Sequence, residues 1–293
     1  MKILSAIAAI LFFVVAAMAQ TNESSDGAPL QFHPATNGLS EAEIQGQQLV
    51  QQLSAQHPAE DSTQTGTLKI QNANDKQIEF PFKFVVFQEK GSTNWMYWSA
   101  AYIATVQQLT NGTREDQILI QHLDNRANWY CRMDVTQHKN RNSDNFAAWA
   151  GSAGNPSKQS SPELTNSFAN SDFWICDLGL EFFHWPQQNI IKKEFARGRG
   201  CMVLESTNPN PLPNGYSKVD CWIDEETLGI VQANAYDARG KLLKEFEPKS
   251  FKKVNGQWQL QDMEIRNVQT RSRTQIKFNL GTSNTEHSTS NNQ

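Results

Sequence analysis

The residues that could do chemistry in this chain are scattered. His33, His57, His122, His138, His184 and His287 stand apart, with no HxH, HExxH or CxxC spacing, so no ligand set for a metal is offered. Ala150-Gly151-Ser152-Ala153-Gly154 has the form of a degenerate nucleophile elbow, with Asp177 and His184 downstream as partners for a serine esterase. Such an elbow needs a strand before it and a helix after it. Here an irregular run precedes it and Asn155-Pro156 follows, so a flexible loop is the better reading. Arg197-Gly198-Arg199-Gly200 holds two cations but runs into a strand rather than a helix, which makes it a solvated turn and not a phosphate loop. Asp220, Asp224, Glu225 and Glu226 sit in or beside a hairpin strand with no implied cleft and read as edge charges. No catalytic residue, metal or cofactor is assigned on these patterns, and the expectation is a protein without catalysis.

The unusual supply is aromatic. Trp95, Tyr97, Trp98, Trp129, Tyr130, Trp149, Phe173, Trp174, Phe182, Phe183 and Trp185 concentrate in the middle of the chain. One account is a large hydrophobic core. The sharper one is an apolar cavity able to take an acyl chain, with Trp98, Trp129, Trp174, Leu178, Phe182, Phe183 and Trp185 as its wall and lid.

The elements that must position these side chains are mainly strands. Ser40 and Glu43 form a capping box, and Leu39, Ala42, Leu49, Val50 and Leu53 recur at helical spacing until His57-Pro58. Strand-like runs follow, TGTLKI, IEFPFKFVVF, WMYWSAAYIATV, EDQILIQHL and NWYCRMDV, separated by turn chemistry. Pro81 removes a ladder donor and demotes its strand to an edge or a bulge. Residues from about Asn140 to Ser171 show no sustained period and read as a mobile flap. In DFWICDLGLEFFHWP, Leu178, Phe182 and Trp185 lie at helical spacing with Leu180 and Phe183 also apolar, so the segment reads as a helix that is buried or covers something apolar.

The last third is strands again, with tight hairpins at Asp237-Ala238-Arg239-Gly240 and Val254-Asn255-Gly256-Gln257. Trp258 and Leu260 share one phase while Met263 and Ile265 share the other, so a bulge near Gln261-Asp262 is expected to bend the sheet. The fold class that follows is mainly β with some helix (α+β): an incomplete, curled antiparallel β-barrel of about 10–12 strands under one or two covering helices.

Composition narrows the setting. The net charge is −4 and only 19% of residues are charged, so no basic excess points to nucleic acid. Met1-Lys2, the apolar run Ile3 to Ala17 and Ala17-Met18-Ala19 have the form of a secretory signal over 1–19, cleaved after Ala19. Residues 20–38 read as a linker, 39–280 as one half-barrel domain and 281–293 as a disordered tail. Export permits disulfides. If the strands flanking TNPNPLPNG pair about that loop, Cys201 faces Cys221, and Cys131–Cys176 follows by elimination; the alternative is that some remain free buried thiols.

SDFWICDLGLEFFHWP, CMVLES, YSKVDCWIDEETLGIV and above all AYDARGKLLKEFEPKSFKKVNGQWQLQDMEIRN resemble the LolA-like outer membrane lipoprotein-sorting proteins. The resemblance implies an incomplete antiparallel barrel closed by helices, with an apolar interior for lipid or for the acyl chains of a lipoprotein. It places a lid from about Asp177 to Trp185. It further implies a periplasmic carrier or chaperone whose partners are a lipidated protein or lipid and, for handover, a membrane transporter or acceptor. An exported structural or protein-interaction module on the same fold is the alternative, and a Ser152 esterase the minor one.

Overall fold

A computed structural model describes residues 38–58, 61–88, 96–105, 114–123, 127–134, 163–254 and 257–280. The expected signal, the linker up to residue 37, the tail, Ser152 and most of the flap region therefore lie outside the described residues.

The capping box forms as read. The Ser40 hydroxyl accepts from the Glu43 amide at 3.3 Å and the Glu43 carboxylate accepts from the Ser40 amide at 2.7 Å, which starts helix α1 (Glu41–Ser54). Its buried stripe is Gly46, Leu49 and Leu53, while Leu39 is exposed.

Twelve strands follow: β1 (Ser62–Gln71), β2 (Gln77–Gln88), β3 (Met96–Thr105), β4 (Arg114–Leu123), β5 (Trp129–Asp134), β6 (Gln187–Ala196), β7 (Arg199–Thr207), β8 (Tyr216–Asp224), β9 (Ile230–Asp237), β10 (Leu242–Val254), β11 (Gln257–Asn267) and β12 (Ser272–Phe278). They form one antiparallel sheet in the order β5-β4-β3-β2-β1-β12-β11-β10-β9-β8-β7-β6. The first strand pairs with the last, Gly66 opposite Phe278 through Gln71 opposite Arg273. The sheet is unclosed, its edges are β5 and β6, and the half-barrel expected from the sequence is the fold observed.

The bulge is where the phase change put it. Met263 pairs with Pro248, Asp262 with Ser250 and Leu260 with Phe251, so Lys249 and Gln261 have no opposite residue. Leu260, Met263 and Ile265 consequently enter one buried cluster despite their mixed parity. Pro81 differs from expectation, because β2 is an inner strand. The β2–β3 ladder ends at Phe82 opposite Ile103, so Pro81, paired with Thr67 of β1, lies just past the point where that side of the strand has a partner.

Two clusters line the concave face. One joins Leu68, Phe82, Ile118, Tyr130, Leu260 and Ile276 to Phe168, Phe173, Ile175 and Leu178. The other joins Leu49, Leu53, Leu204, Val219 and Ile223 to Cys176, Phe182 and Phe183. Both are therefore completed by the chain between the two edge strands. That chain is not the single helix expected over Asp177–Trp185. It forms a short helix α2 (Ile175–Leu178) and a 3-10 turn (Glu181–His184), broken at Leu180 with φ 50°.

The disulfide expectation is corrected. All four cysteines are free and buried. In the β7–β8 hairpin Cys201 stands opposite Asp224 and Leu204 opposite Cys221. The loop 208–215 is closed by Asn208 N–H to Ser217 O at 2.8 Å and Gly215 N–H to Leu212 O at 2.8 Å, which offsets the register by three residues from the one assumed. An odd offset reverses every side chain. Cys201 packs with Val203 and Trp222 on the convex face, and Cys221 lies in the concave cluster. Cys131 alternates with Tyr130, whose ring is in the concave cluster, and so faces away from Cys176. Unfolding the protein without reductant is expected to release four titratable thiols per chain, whereas a count of zero or two rejects this assignment.

Helix α1 docks on β6 through Gly46, where a Cβ would run into the backbone carbonyl of Gln188. Gly46→Val is therefore expected to destabilise the fold by at least about 1 kcal/mol, overpacking against rigid backbone outweighing the gain in helix propensity. A lowered urea midpoint checks this.

Candidate functional site

The segment over the concave face, residues 163–186, is held by its own backbone, by Gln188 of β6, whose Nε2 donates to Phe182 O and Trp185 O at 2.9 Å, and by three attachments centred on carboxylates. Phe168 N–H bonds to Phe173 O at 2.8 Å, Ile175 N–H to Asn166 O at 3.0 Å and Cys176 N–H to Leu164 O at 3.0 Å, so the segment folds back on itself before α2 begins. The first attachment is Asp172. Its amide donates to Thr274 Oγ1 at 2.9 Å, and its carboxylate accepts from Ser272 at 2.5 Å and Thr274 at 2.8 Å. This ties the segment to β12.

The second attachment is buried deepest. Lys244, on β10, is 2% exposed and donates from Nζ to Asp177 Oδ2 at 3.2 Å. The Tyr216 hydroxyl donates to the same carboxylate at 2.9 and 3.2 Å, and Trp174 N–H closes the set at 2.7 Å. Trp174 stacks on Tyr216 with centroids 4.4 Å apart, and Lys244 Nζ lies 3.6 Å from the Trp174 ring centroid. Burial pulls the Lys244 pKa down, and Asp177 opposes that by favouring its charged form. Burial, reinforced by the Asp177 charge, holds the Tyr216 phenol well above its ordinary range.

The third attachment reaches β5. Tyr130 Oη donates to Glu181 Oε2 at 2.9 Å, and Asn128 Nδ2 donates to Gly179 O at 2.7 Å. A Cβ on Gly179 would collide with the Tyr130 hydroxyl, so the close approach requires glycine there. Burial raises the Glu181 pKa to about 7, against hydrogen bonds from Tyr130 and Asn128 that lower it. Burial, with His184 adding to it, lowers His122 to about 3.

Under this cover remains a cavity of about 50 Å³, lined among others by Phe173, Leu180, Phe182, Ala233, Ala235 and Phe246, with Lys244, Asp177 and Tyr216 at its polar end. That is room for one or two water-sized groups. Among the described residues the concave face is thus occupied by the cover's own side chains, this small cavity apart.

Of the residues expected at a lid or cavity wall, Trp174, Leu178, Phe182, Phe183 and Trp185 all lie in the cover. Leu178, Phe182 and Phe183 are buried. Phe182 packs edge-on against Phe183 at 4.6 Å and against Trp185 at 6.4 Å, and it alone of the five lines the cavity. Trp129 shares its face with Cys131, away from the interior, so it is no part of that wall. Trp98 is placed by β3 opposite Phe87 and Gln121. Asp177, offered as an esterase partner, is engaged instead with Lys244, Tyr216 and Trp174. Sequence reasoning missed Lys244 and Tyr216. The available signal was phase, because Lys244 stands two residues before Phe246, which shares the cavity wall. Among the described residues no group of His, Cys, Asp and Glu could hold a metal ion, and no helix is long and apolar enough to cross a membrane.

The Glu181 attachment has a pH signature. The carboxyl binds its proton more readily in the folded chain, so its stabilising effect is complete below its ordinary value of 4.5 and is lost as the pH rises through about 7. His122 acts in the opposite sense. Held neutral by burial, its contribution is present above its ordinary 6.5 and is lost as the pH falls towards about 3. Tyr130 and Cys176, both raised well above their ordinary values, do not titrate in this window. His184, lowered by burial, acts in the same sense as His122, and both oppose Glu181 until about pH 7.5, so the Glu181 contribution shows as a difference: wild type is expected to lose stability relative to Glu181→Gln between pH 6.5 and about pH 8. Urea midpoints of both proteins at the two pH values check this, and a difference between them that does not change with pH rejects it.

The fold is shared with solved structures. A DUF1329 family protein from Desulfovibrio piger is 18% identical with a TM-score of 0.59, over 82% of this chain and 92% of that one. An outer membrane lipoprotein-sorting protein domain, so described, from Vibrio parahaemolyticus is 18% identical with a TM-score of 0.60, over 81% and 92%. A LolA superfamily protein from Nitrosomonas europaea is 13% identical with a TM-score of 0.51, over 82% and 93%. At these identities the likeness is one of fold. No curated protein matches the chain. Residues 132–290, more than half of the chain, match the model of a family described only as "Uncharacterized protein", and this chain, built on the LolA-like half-barrel, belongs to that family.

Proposed function

We propose that this protein is an exported, non-catalytic carrier or chaperone that holds acyl chains of a lipid or lipidated protein against the concave face of its sheet. Its place is the periplasm, after removal of residues 1–19, in traffic toward the outer membrane and with a membrane transporter or acceptor for handover. The observation that carries this reading is the cover. An apolar half-barrel interior is closed by a stretch of chain between the sheet's two edges, attached to the sheet by side-chain hydrogen bonds at Asp172, Asp177, Glu181 and the Phe182 and Trp185 carbonyls. The fold shared with an outer membrane lipoprotein-sorting protein domain supports the same reading.

The exchange is energetically balanced. Phe168, Phe173, Ile175, Leu178, Phe182 and Phe183 are buried in the cover, and each contributes about 1.5–3 kcal/mol of burial. An acyl chain contributes about 0.8 kcal/mol per buried methylene. A chain of ordinary lipid length therefore offers the concave face as much as the cover does. With a cavity of about 50 Å³, no chain enters until the cover moves.

A second reading, a protein-interaction module, is favoured by that filled interior and by edge strand β6, where Ile191 is exposed and Phe195 is 85% exposed. An exposed edge of this kind suits strand addition by a partner. Lipid extraction and mass spectrometry of protein purified without detergent separates the two. The carrier is expected to yield near-stoichiometric acyl lipid, whereas lipid-free protein that also takes up none from vesicles leaves the interaction module in its place.

A further inference from the structure

We propose that Lys244 and Tyr216 form the seat for the anionic group of the bound lipid, so that the carrier selects a carboxylate- or phosphate-bearing amphiphile over a neutral acyl group. The proposal rests on the carrier reading and narrows its ligand.

Lys244 is the only buried Lys or Arg among the described residues. Its counter-ion, Asp177, belongs to the cover and not to the sheet. Trp174, the aromatic ring under Nζ, belongs to the cover as well. Tyr216 is on β8, which stays with the sheet. When the cover lifts, the sheet keeps two donors, Lys244 Nζ and Tyr216 Oη, that converge on the place where one carboxylate had been, at 3.2, 2.9 and 3.2 Å from its oxygens. The remaining wall, with Val219, Ala233, Ala235 and Ile265, is apolar. An ammonium left without a partner in such a site is strongly disfavoured. An oxyacid is the chemistry that restores both hydrogen bonds and the charge. Asp177 therefore stands in for the ligand's head group in the closed state, and the small cavity beside it marks where the acyl chain begins. A neutral acyl ester offers Lys244 an acceptor oxygen but no charge and is discriminated against by the uncompensated ammonium, which is how a site rejects as well as selects.

The test uses the full chain, delipidated and free of detergent, titrated at pH 7 with laurate, lauroyl lysophosphatidate and the neutral monolaurin. Wild type is expected to bind at least one of the two anions at least tenfold more tightly than monolaurin, and the tighter anion tells carboxylate from phosphate. Asp177→Asn, which removes the competing carboxylate, is expected to tighten anion binding about tenfold and to change monolaurin less. Lys244→Met leaves Asp177 buried without its cation, so it is paired with a Lys244→Met/Asp177→Asn double variant; in both, anion affinity falls to the monolaurin level, and Lys244→Arg keeps the preference. Equal binding of all three ligands by wild type overturns the anion seat and leaves the carrier reading standing. Weaker anion binding by a folded Asp177→Asn protein makes the pair purely structural and also overturns the seat. No binding of any ligand, by wild type or by Asp177→Asn, overturns the seat and the carrier reading together.

Discussion

A sheet that curls without closing leaves an apolar concave face that something must cover, and the rest of this molecule follows from how that is done. Because β1 pairs with β12, the free edges are β5 and β6, two strands adjacent in sequence apart from the long connection between them. That connection is the natural cover, since its ends are already fixed at the two rims. Leu164 packs against both concave clusters, as does Phe246 beneath it. The two halves of the interior are therefore joined by the cover as much as by the sheet.

The cover is fastened by buried polar groups where an all-apolar contact would have served stability as well or better. A buried ion pair stabilises little net of its desolvation. What the Asp172, Asp177 and Glu181 contacts supply is position, because each is satisfied at one placement only. Apolar packing alone tolerates sliding. The convex face handles its charges differently, with exposed pairs such as Lys192–Glu194 beside a small apolar patch at Cys201, Val203 and Trp222. Such pairs are screened by water and hold nothing in place.

What was legible in the sequence was what depends on local pattern. Ser40 and Glu43 announce a helix start through chemistry confined to four residues, and the phase change between Leu260 and Met263 encodes a bulge. The turn Asp237-Ala238-Arg239-Gly240 forms with Gly240 at φ 74° and the Asp237 carboxylate accepting from the Arg239 and Lys241 amides. Less legible was anything set by a choice between near-equal local solutions. The loop after β7 holds three prolines and a glycine, so several turns could close it, and the one adopted separates Cys201 from Cys221 by a sheet's thickness. Leu180 in the left-handed region has no local signal, because a leucine there is imposed by the packing of Phe182 and Phe183. Lys244 was hidden for the reverse reason. A lysine among strand residues is ordinarily a solvated one, and only its partner 67 positions earlier in the chain makes it a core residue.

Asp75, Arg197, Leu228 and Arg271 have positive φ in turns between strands, and the same long-range logic explains the strain that lies elsewhere. Ala169, Asn170 and Leu180 all have positive φ, at 51°, 58° and 50°, and all three lie in the cover. The left-handed region costs a residue with a side chain on the order of 1–2 kcal/mol, and it persists only where the surroundings over-determine it. Here the surroundings are the concave clusters and the polar attachments. Lifting the cover loses its burial but also releases this strain, which brings the closed and open arrangements nearer in energy than the buried area suggests. On the carrier reading proposed above, a ligand has to supply only that difference.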